Sequence, residues 1–196
     1  MNSPEYLIVH CSAGPDRVVR DWDAIRRFHL SKGWRDIGYH FGIELVGDRY
    51  EIFKGRAISD TGAQCIGSLP GTPYPNRMNS HSLGICLVGG DPMEGFGPKY
   101  PLPPAQKDKL IELLADLCKD LKLPVDRIRL HREFDPKPCP GYGITKEDLQ
   151  ACVAAKLQEA SPSEPIGPSK EDTDPSKVLV HIANQLLEVA NSLRKG

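Results

Sequence analysis

Apolar positions along the first 158 residues switch between a period of two and a period near 3.6. Residues 5–10, ending in YLIVH, form a short apolar run that predicts a mostly buried strand closing at His10. Over 19–32, Trp22, Ile25, Phe28 and Leu30 recur among arginines and aspartates at helical spacing, with Gly33 as the stop. The runs YHFGIELV (39–46) and RYEIF (49–53) read as two strands around a Gly47-Asp48 turn, a hairpin signal. LGICLV (83–88) is a further strand, closed by Gly89-Gly90. Pro103 and Pro104 open a helix whose apolar face is Leu110, Leu113, Leu114, Leu117 and Leu121, ended by Pro124. RIRLH (127–131) predicts a last strand closing at His131, and Thr145 can cap a helix carrying Leu149, Cys152, Val153 and Leu157.

Strands and helices in alternation predict a mixed α/β fold, a central sheet flanked by helices, over residues 1–159. Two long stretches, 60–80 and 89–104, carry Gly, Pro, Ser and Asn without periodicity, as the functional rims of compact domains often do. Residues 160–176 lose their aromatic and most aliphatic content and gain Pro, Ser and Asp, the composition of a linker. Beyond it, Leu179, Ile182, Leu186, Val189 and Leu193 give residues 177–196 an amphipathic helical pattern. At under three heptads this segment is too short to declare a coiled coil. Docking on the main domain, self-association and binding of a membrane or partner surface all stay open for it.

Composition narrows the function classes. Twenty-five basic residues against 26 acidic ones give a net charge of −1, so no basic excess exists to neutralise a run of phosphates, and nucleic acid is not the expected partner. The longest apolar runs fall far short of the roughly 20 residues that a membrane-spanning helix needs. The start, MNSPEYLIVH, lacks the basic-then-apolar order of a secretory signal. A protein made in the cytoplasm with reduced thiols is therefore expected. Of the six cysteines, Cys86, Cys118 and Cys152 sit in apolar patterns and read as core. Cys139, between two prolines, fits no such pattern.

The candidate chemistry gathers around that cysteine. His10 and His131 close two predicted strands, and Cys139 follows His131 by eight residues in HREFDPKPCPG. Two imidazoles and one thiolate with a fourth position open form the donor set of a catalytic zinc site. The prolines of 135–141 forbid a helix and make a stiff loop able to bring Cys139 back toward His131. Spacing alone leaves a second reading, since a single strand-end histidine is commonly a hydrogen-bonded core residue.

Four segments occur in order: IVHCSA (8–13), KGWRDIGYHFGI (32–43), NSHSLGICLVGG (79–90) and HREFDPKPCPG (131–141). Together with PPAQ (103–106) they resemble the zinc amidases of the N-acetylmuramoyl-L-alanine amidase type, a family that includes phage endolysins and peptidoglycan recognition proteins. The resemblance implies a mixed sheet flanked by helices and one catalytic zinc ion in a cleft, held by His10, His131 and Cys139. It implies that Tyr39 and Lys137 are catalytic, donating to the carbonyl oxygen, with orientation of the attacking water a second role open to Tyr39. The implied substrate is the amide between the lactyl group of N-acetylmuramic acid and L-alanine, in peptidoglycan or muropeptides.

His40 points away from Tyr39 if both lie in one strand, and reads as core or as support for a neighbour. His29 reads as structural or surface, and His81 as a loop residue. The sequence departs from the family where a groove histidine often stands, with Gln64 in its place. Gln64 can hydrogen-bond but cannot carry a proton. It and Asn79 are the candidate substrate contacts. Three functions compete: a lytic phage or prophage endolysin that reaches the wall after release, a recognition module that grips without cutting, and a cytosolic recycling amidase. Cys139 favours the first. Non-cutting relatives typically lose that ligand, and the recycling branch resembles enzymes with a carboxylate there.

Overall fold

Strand β1 (Tyr6–Cys11) is buried at every position, so it must have neighbours on both edges and cover on both faces. The computed structural model, which describes residues 2–14, 21–67 and 78–159, shows both. With β2 (Phe41–Val46), β3 (Arg49–Lys54), β4 (Ser82–Leu87) and β5 (Ile128–Leu130), it builds one sheet in the order β3-β2-β4-β1-β5. The β1–β4, β1–β5 and β2–β4 pairs are parallel, and the β2–β3 hairpin is antiparallel. The two fully buried strands, β1 and β4, are central and parallel, which is where continuous apolar runs belong. At the edge, β3 carries Arg49, Glu51 and Lys54, charges that discourage pairing with another chain. Gly47 takes φ +64° in the hairpin turn, the left-handed conformation demanded of the first of two turn residues.

Among the described residues, three helices cover the sheet: α1 (Trp22–Ser31), α2 (Pro104–Leu121) and α3 (Lys146–Glu159). Alternation along the strands decides which residues meet which layer. Leu7, Val9 and Cys11 of β1 join Leu83, Ile85 and Leu87 of β4 in the main core, under Leu110, Leu114 and Leu117 of α2 and Leu149 and Val153 of α3. The intervening residues face the other way. There Trp22 and Ile25 of α1 pack with Ile37, Cys86 and Val88, and Tyr6 and Ile8 pack with Cys65, Met78 and Phe134. Asp21 caps α1 by accepting from the N–H of Ala24. The N–H of Trp22 donates to the Glu44 carboxylate at 2.7 Å, which ties the helix start to β2. Buried Gln106 donates to the carbonyls of Ile43 and Val88 at 3.0 and 2.9 Å, fixing the first turn of α2 over the middle of β2 and the end of β4.

The predicted elements are present with shifted bounds, α1 starting only at Trp22 and β2 only at Phe41, which leaves Tyr39 and His40 before the strand. β1 runs one residue past His10, and β4 starts one residue earlier than its apolar run. His131 does not end a strand, because β5 stops at Leu130 and His131 opens a 3-10 turn, His131–Glu133. Cys86 and Cys118 are buried, whereas Cys152 is half-exposed on α3. No helix among the described residues is long and apolar enough to cross a membrane. The expected linker 160–176 and the expected helix 177–196 lie outside the described residues.

Candidate active site

Period-two alternation puts His10 on the same face of β1 as Tyr6 and Ile8, opposite the α2 and α3 layer. His131 arrives from the neighbouring strand, since Val9 pairs with Leu130 and the 3-10 turn begins one residue later. Glu133 fastens that turn. Its Oε1 accepts from the N–H of Leu130 at 2.8 Å, and its Oε2 accepts from Nε of Arg129 at 2.9 Å. From there the chain returns through two tight turns. The N–H of Lys137 donates to the carbonyl of Asp135 at 2.7 Å, and the N–H of Cys139 to that of Lys137 at 2.8 Å. Pro136 and Pro138 stand at the centres of these three-residue turns, where their fixed φ is the one required. The N–H of Arg132 closes the loop on the carbonyl of Cys139 at 2.8 Å.

One donor atom each from His10, His131 and Cys139 lies within 4.8 Å of the others. His10 Nδ1 is 3.9 Å from Cys139 Sγ, and the two imidazole centroids are 4.3 Å apart. The donor chemistry and spacing suit a divalent metal with a mixed N and S preference, whose tetrahedral ligands stand roughly 3.5 Å apart. Two further observations fit. His131 is buried, yet its Nδ1 has no hydrogen-bond partner, and burial without a partner is costly unless something else takes the lone pair. The N–H of Cys11 points at Cys139 Sγ at 3.4 Å and favours negative charge on sulfur, against the Cys11 thiol and burial, which together push the Cys139 thiol up and leave a cation as the partner a thiolate there would need. Burial, then the neighbouring imidazole and the Lys137 ammonium, push His10 well below the usual histidine range. Burial also lowers His131, against the pull of Asp135. Both imidazoles are thus neutral at pH 7, the form in which histidine binds metals.

Tyr39, two residues before β2, is half-buried with its ring centroid 5.1 Å from that of His10. Burial first, then the Cys86, Cys139 and Cys11 thiols, raise its phenol well above the ordinary range, so it stays protonated and can donate. Lys137 is 62% exposed, and its Nζ lies 3.5 Å from Asp135 Oδ2. The same carboxylate oxygen lies 3.3 Å from Nε2 of His131. Asp135 therefore faces a candidate ligand and a candidate catalytic residue together. In the sequence, Asp135 stands out only as part of a stiff loop, and its spacing of four from His131 is the one signal of this placement. The cleft over these groups has a volume of about 360 Å³ and is walled by Phe28 and His29 of α1 on one side and Pro92 and Met93 on the other.

The two expected substrate contacts are placed elsewhere. Neither Gln64 nor Asn79 lines this cleft. Gln64 is buried behind His10, with its Oε1 against His10 Nε2. Asn79 Oδ1 accepts from the N–H groups of Gln64 and Cys65 at 2.7 and 2.8 Å, so it shapes the backbone that presents Gln64. Burial of the 62–65 stretch against β4 turns both side chains inward. His40 is a core residue, accepting from the N–H of Gly84 at 3.0 Å and facing the carbonyl of Asp60 at 3.0 Å. His29 accepts from the N–H of Gly38 at 3.1 Å and stacks on Trp34.

Solved structures with this fold include amidases and peptidoglycan recognition proteins. The Ph2119 endolysin of a Thermus scotoductus bacteriophage superposes with a TM-score of 0.56 at 25% identity, over 78% of this chain and 86% of that one. A Drosophila PGRP-LB mutant in complex with tracheal cytotoxin superposes with a TM-score of 0.55 at 27% identity, over 75% of this chain and 80% of that one. The class is thus that of the peptidoglycan amidases and their recognition-protein relatives. Within it, the chain belongs to the N-acetylmuramoyl-L-alanine amidase family, whose model matches residues 1–142. The endolysin of Escherichia phage T7 is 32% identical over 145 residues, which cover 74% of this chain and 85% of that protein.

Proposed function

We propose that this chain is a zinc-dependent endolysin that hydrolyses the amide between the lactyl group of N-acetylmuramic acid and the L-alanine of the stem peptide. The observation that carries the reading is the convergence of His10, His131 and Cys139 on the floor of an open cleft, in a chain of the amidase family. Zinc bound there supplies a Lewis acid and lowers the pKa of a water toward neutrality.

The chain's own residues do the rest. Two neutral imidazoles and one thiolate hold the ion, and the N–H of Cys11 supports the sulfur. As the amide carbon is attacked, negative charge grows on its oxygen. The protonated Tyr39 phenol and the Lys137 ammonium are the donors within reach, and such donors act most strongly on charge that appears only in the transition state. Asp135 holds the Lys137 ammonium toward the cleft. The departing alanine nitrogen takes its proton from the attacking water, relayed by a side chain or solvent. Phe28 and Met93 offer apolar walls along which a stem peptide can lie. A protein that only grips peptidoglycan has no use for a thiolate at this position, which sets the recognition reading second.

Purified sacculi incubated with the protein should release intact stem peptides bearing free alanine amines, read by mass. A chelator and the Cys139→Ala variant should each abolish release. Binding without release would favour the recognition reading, and new reducing sugar ends would replace the amidase with a glycosidase.

A further inference from the structure

On the site-bearing face of the sheet, Tyr6 pairs with Ser82, Ile8 with Gly84 and His10 with Cys86. The side chain of Gln64 lies across this face in the space that Gly84 leaves open. A Cβ added at Gly84 would stand 2.6 Å from Gln64 Cγ and 2.9 Å from its Cδ. Three hydrogen bonds then run in line. Ser82 Oγ donates to the carbonyl of Met78 at 2.5 Å, Gln64 Nε2 donates to Ser82 Oγ at 2.8 Å, and Gln64 Oε1 meets His10 Nε2.

The line has a direction. A backbone carbonyl only accepts, so the Ser82 proton goes to Met78. The Ser82 oxygen is left to accept, and only the NH₂ end of the Gln64 amide can satisfy it. The amide oxygen must then face His10, and it in turn can only accept. His10 therefore carries its proton on Nε2, and its Nδ1 is the bare lone pair, on the side of Cys139 Sγ. Turned over, the amide would aim an N–H at His10 Nε2, which would have to accept, and the ring's proton would then sit on Nδ1, where a metal must bind. The Ser82 oxygen would also lose its buried donor.

We infer that Gln64 is a positioning residue that fixes His10 as the Nε2–H tautomer and aims its Nδ1 at the metal, with its own orientation set by Ser82 and the carbonyl of Met78. The inference rests on the metal-centre reading of His10. Partners of this kind on ligand histidines typically contribute about 10- to 100-fold in metal affinity.

The test uses the full chain, first zinc-loaded and then stripped. Zinc affinity is measured by competition with a chromogenic chelator, and the His10 tautomer by ¹⁵N NMR of the zinc-free protein. Gln64→Met keeps the volume and removes the acceptor. It should weaken zinc about 10- to 100-fold and abolish the single Nε2–H tautomer. Gln64→Glu retains an acceptor and should keep both properties near wild type. Ser82→Ala should fall between, because the amide is then free to turn over. A folded Gln64→Met with unchanged affinity and unchanged tautomer overturns the inference. If Gln64→Met does not fold, unchanged affinity and tautomer in Ser82→Ala overturn it instead. Wild type that binds no zinc brings down the metal-centre reading together with this one. Wild type that binds zinc but cuts no amide brings down only the proposed activity.

Discussion

At Tyr39, burial and the nearby thiols keep the phenol protonated, and the role proposed for it rests on the hydrogen it offers rather than on any basicity. Tyr39→Phe should therefore lower kcat about 100- to 1,000-fold while zinc content, read by metal analysis, stays at one ion. A loss of zinc in that variant would make Tyr39 a packing residue. Lys137 is mostly exposed, so Lys137→Met should leave the melting temperature unchanged and still cost about 100-fold in kcat. An unaltered kcat on muropeptide would remove Lys137 from the mechanism. Among single residues, the grouping of His10, His131 and Cys139 is legible in the sequence, because Cys139 sits where no core pattern explains it. The role of Gln64 was not legible. Its position is set by the open space at Gly84, twenty residues on, and such a pairing becomes visible only once β4 lies beside the 62–65 stretch.

The 3-10 turn that carries His131 depends on one carboxylate. Burial alone would raise Glu133, but the Arg129 guanidinium, the N–H of Leu130 and the Lys146 ammonium outweigh it and hold the carboxyl below its usual range. A carboxyl depressed in the folded state contributes stability above its unfolded pKa of about 4.3 and loses it as pH falls through the folded value. Glu133→Gln should accordingly cost about 1–3 kcal/mol at neutral pH. The difference from wild type should shrink in melts below about pH 4, and a gap that persists there would contradict the assignment. Elements with one uninterrupted apolar pattern, such as β1 and α2, could be read from the sequence within a residue or two. The His131 turn has the sequence pattern of a strand end, because RIRLH alternates correctly up to Leu130. At the strand's end Glu133 clamps Arg129 and the N–H of Leu130, four and three residues back, and pairs with Lys146 farther on, contacts that the alternation of apolar and polar positions does not encode.

Across the whole molecule, every candidate ligand and every described core residue lies between residues 2 and 159. A protein ending at residue 159 should therefore melt within about 4 °C of the full chain, which at this size corresponds to roughly 1 kcal/mol, and should hydrolyse soluble muropeptide at the same rate. A much lower melting point would show that the C-terminal segment docks as part of the domain. An unchanged melting point with weaker action on intact sacculi would assign that segment to attachment or self-association. The layered α/β architecture followed from the alternation of strands and helices, whereas the pairing order did not, because β4 inserts between β1 and β2 from far along the chain. That same arrangement joins His10 to a thiol 129 residues away. During synthesis, the donor set stays incomplete until Cys139 has left the ribosome and β5 has closed on β1, a contact of high sequence separation that forms late. A wall-cutting enzyme built this way is inert as a nascent chain and becomes dangerous only as a finished one.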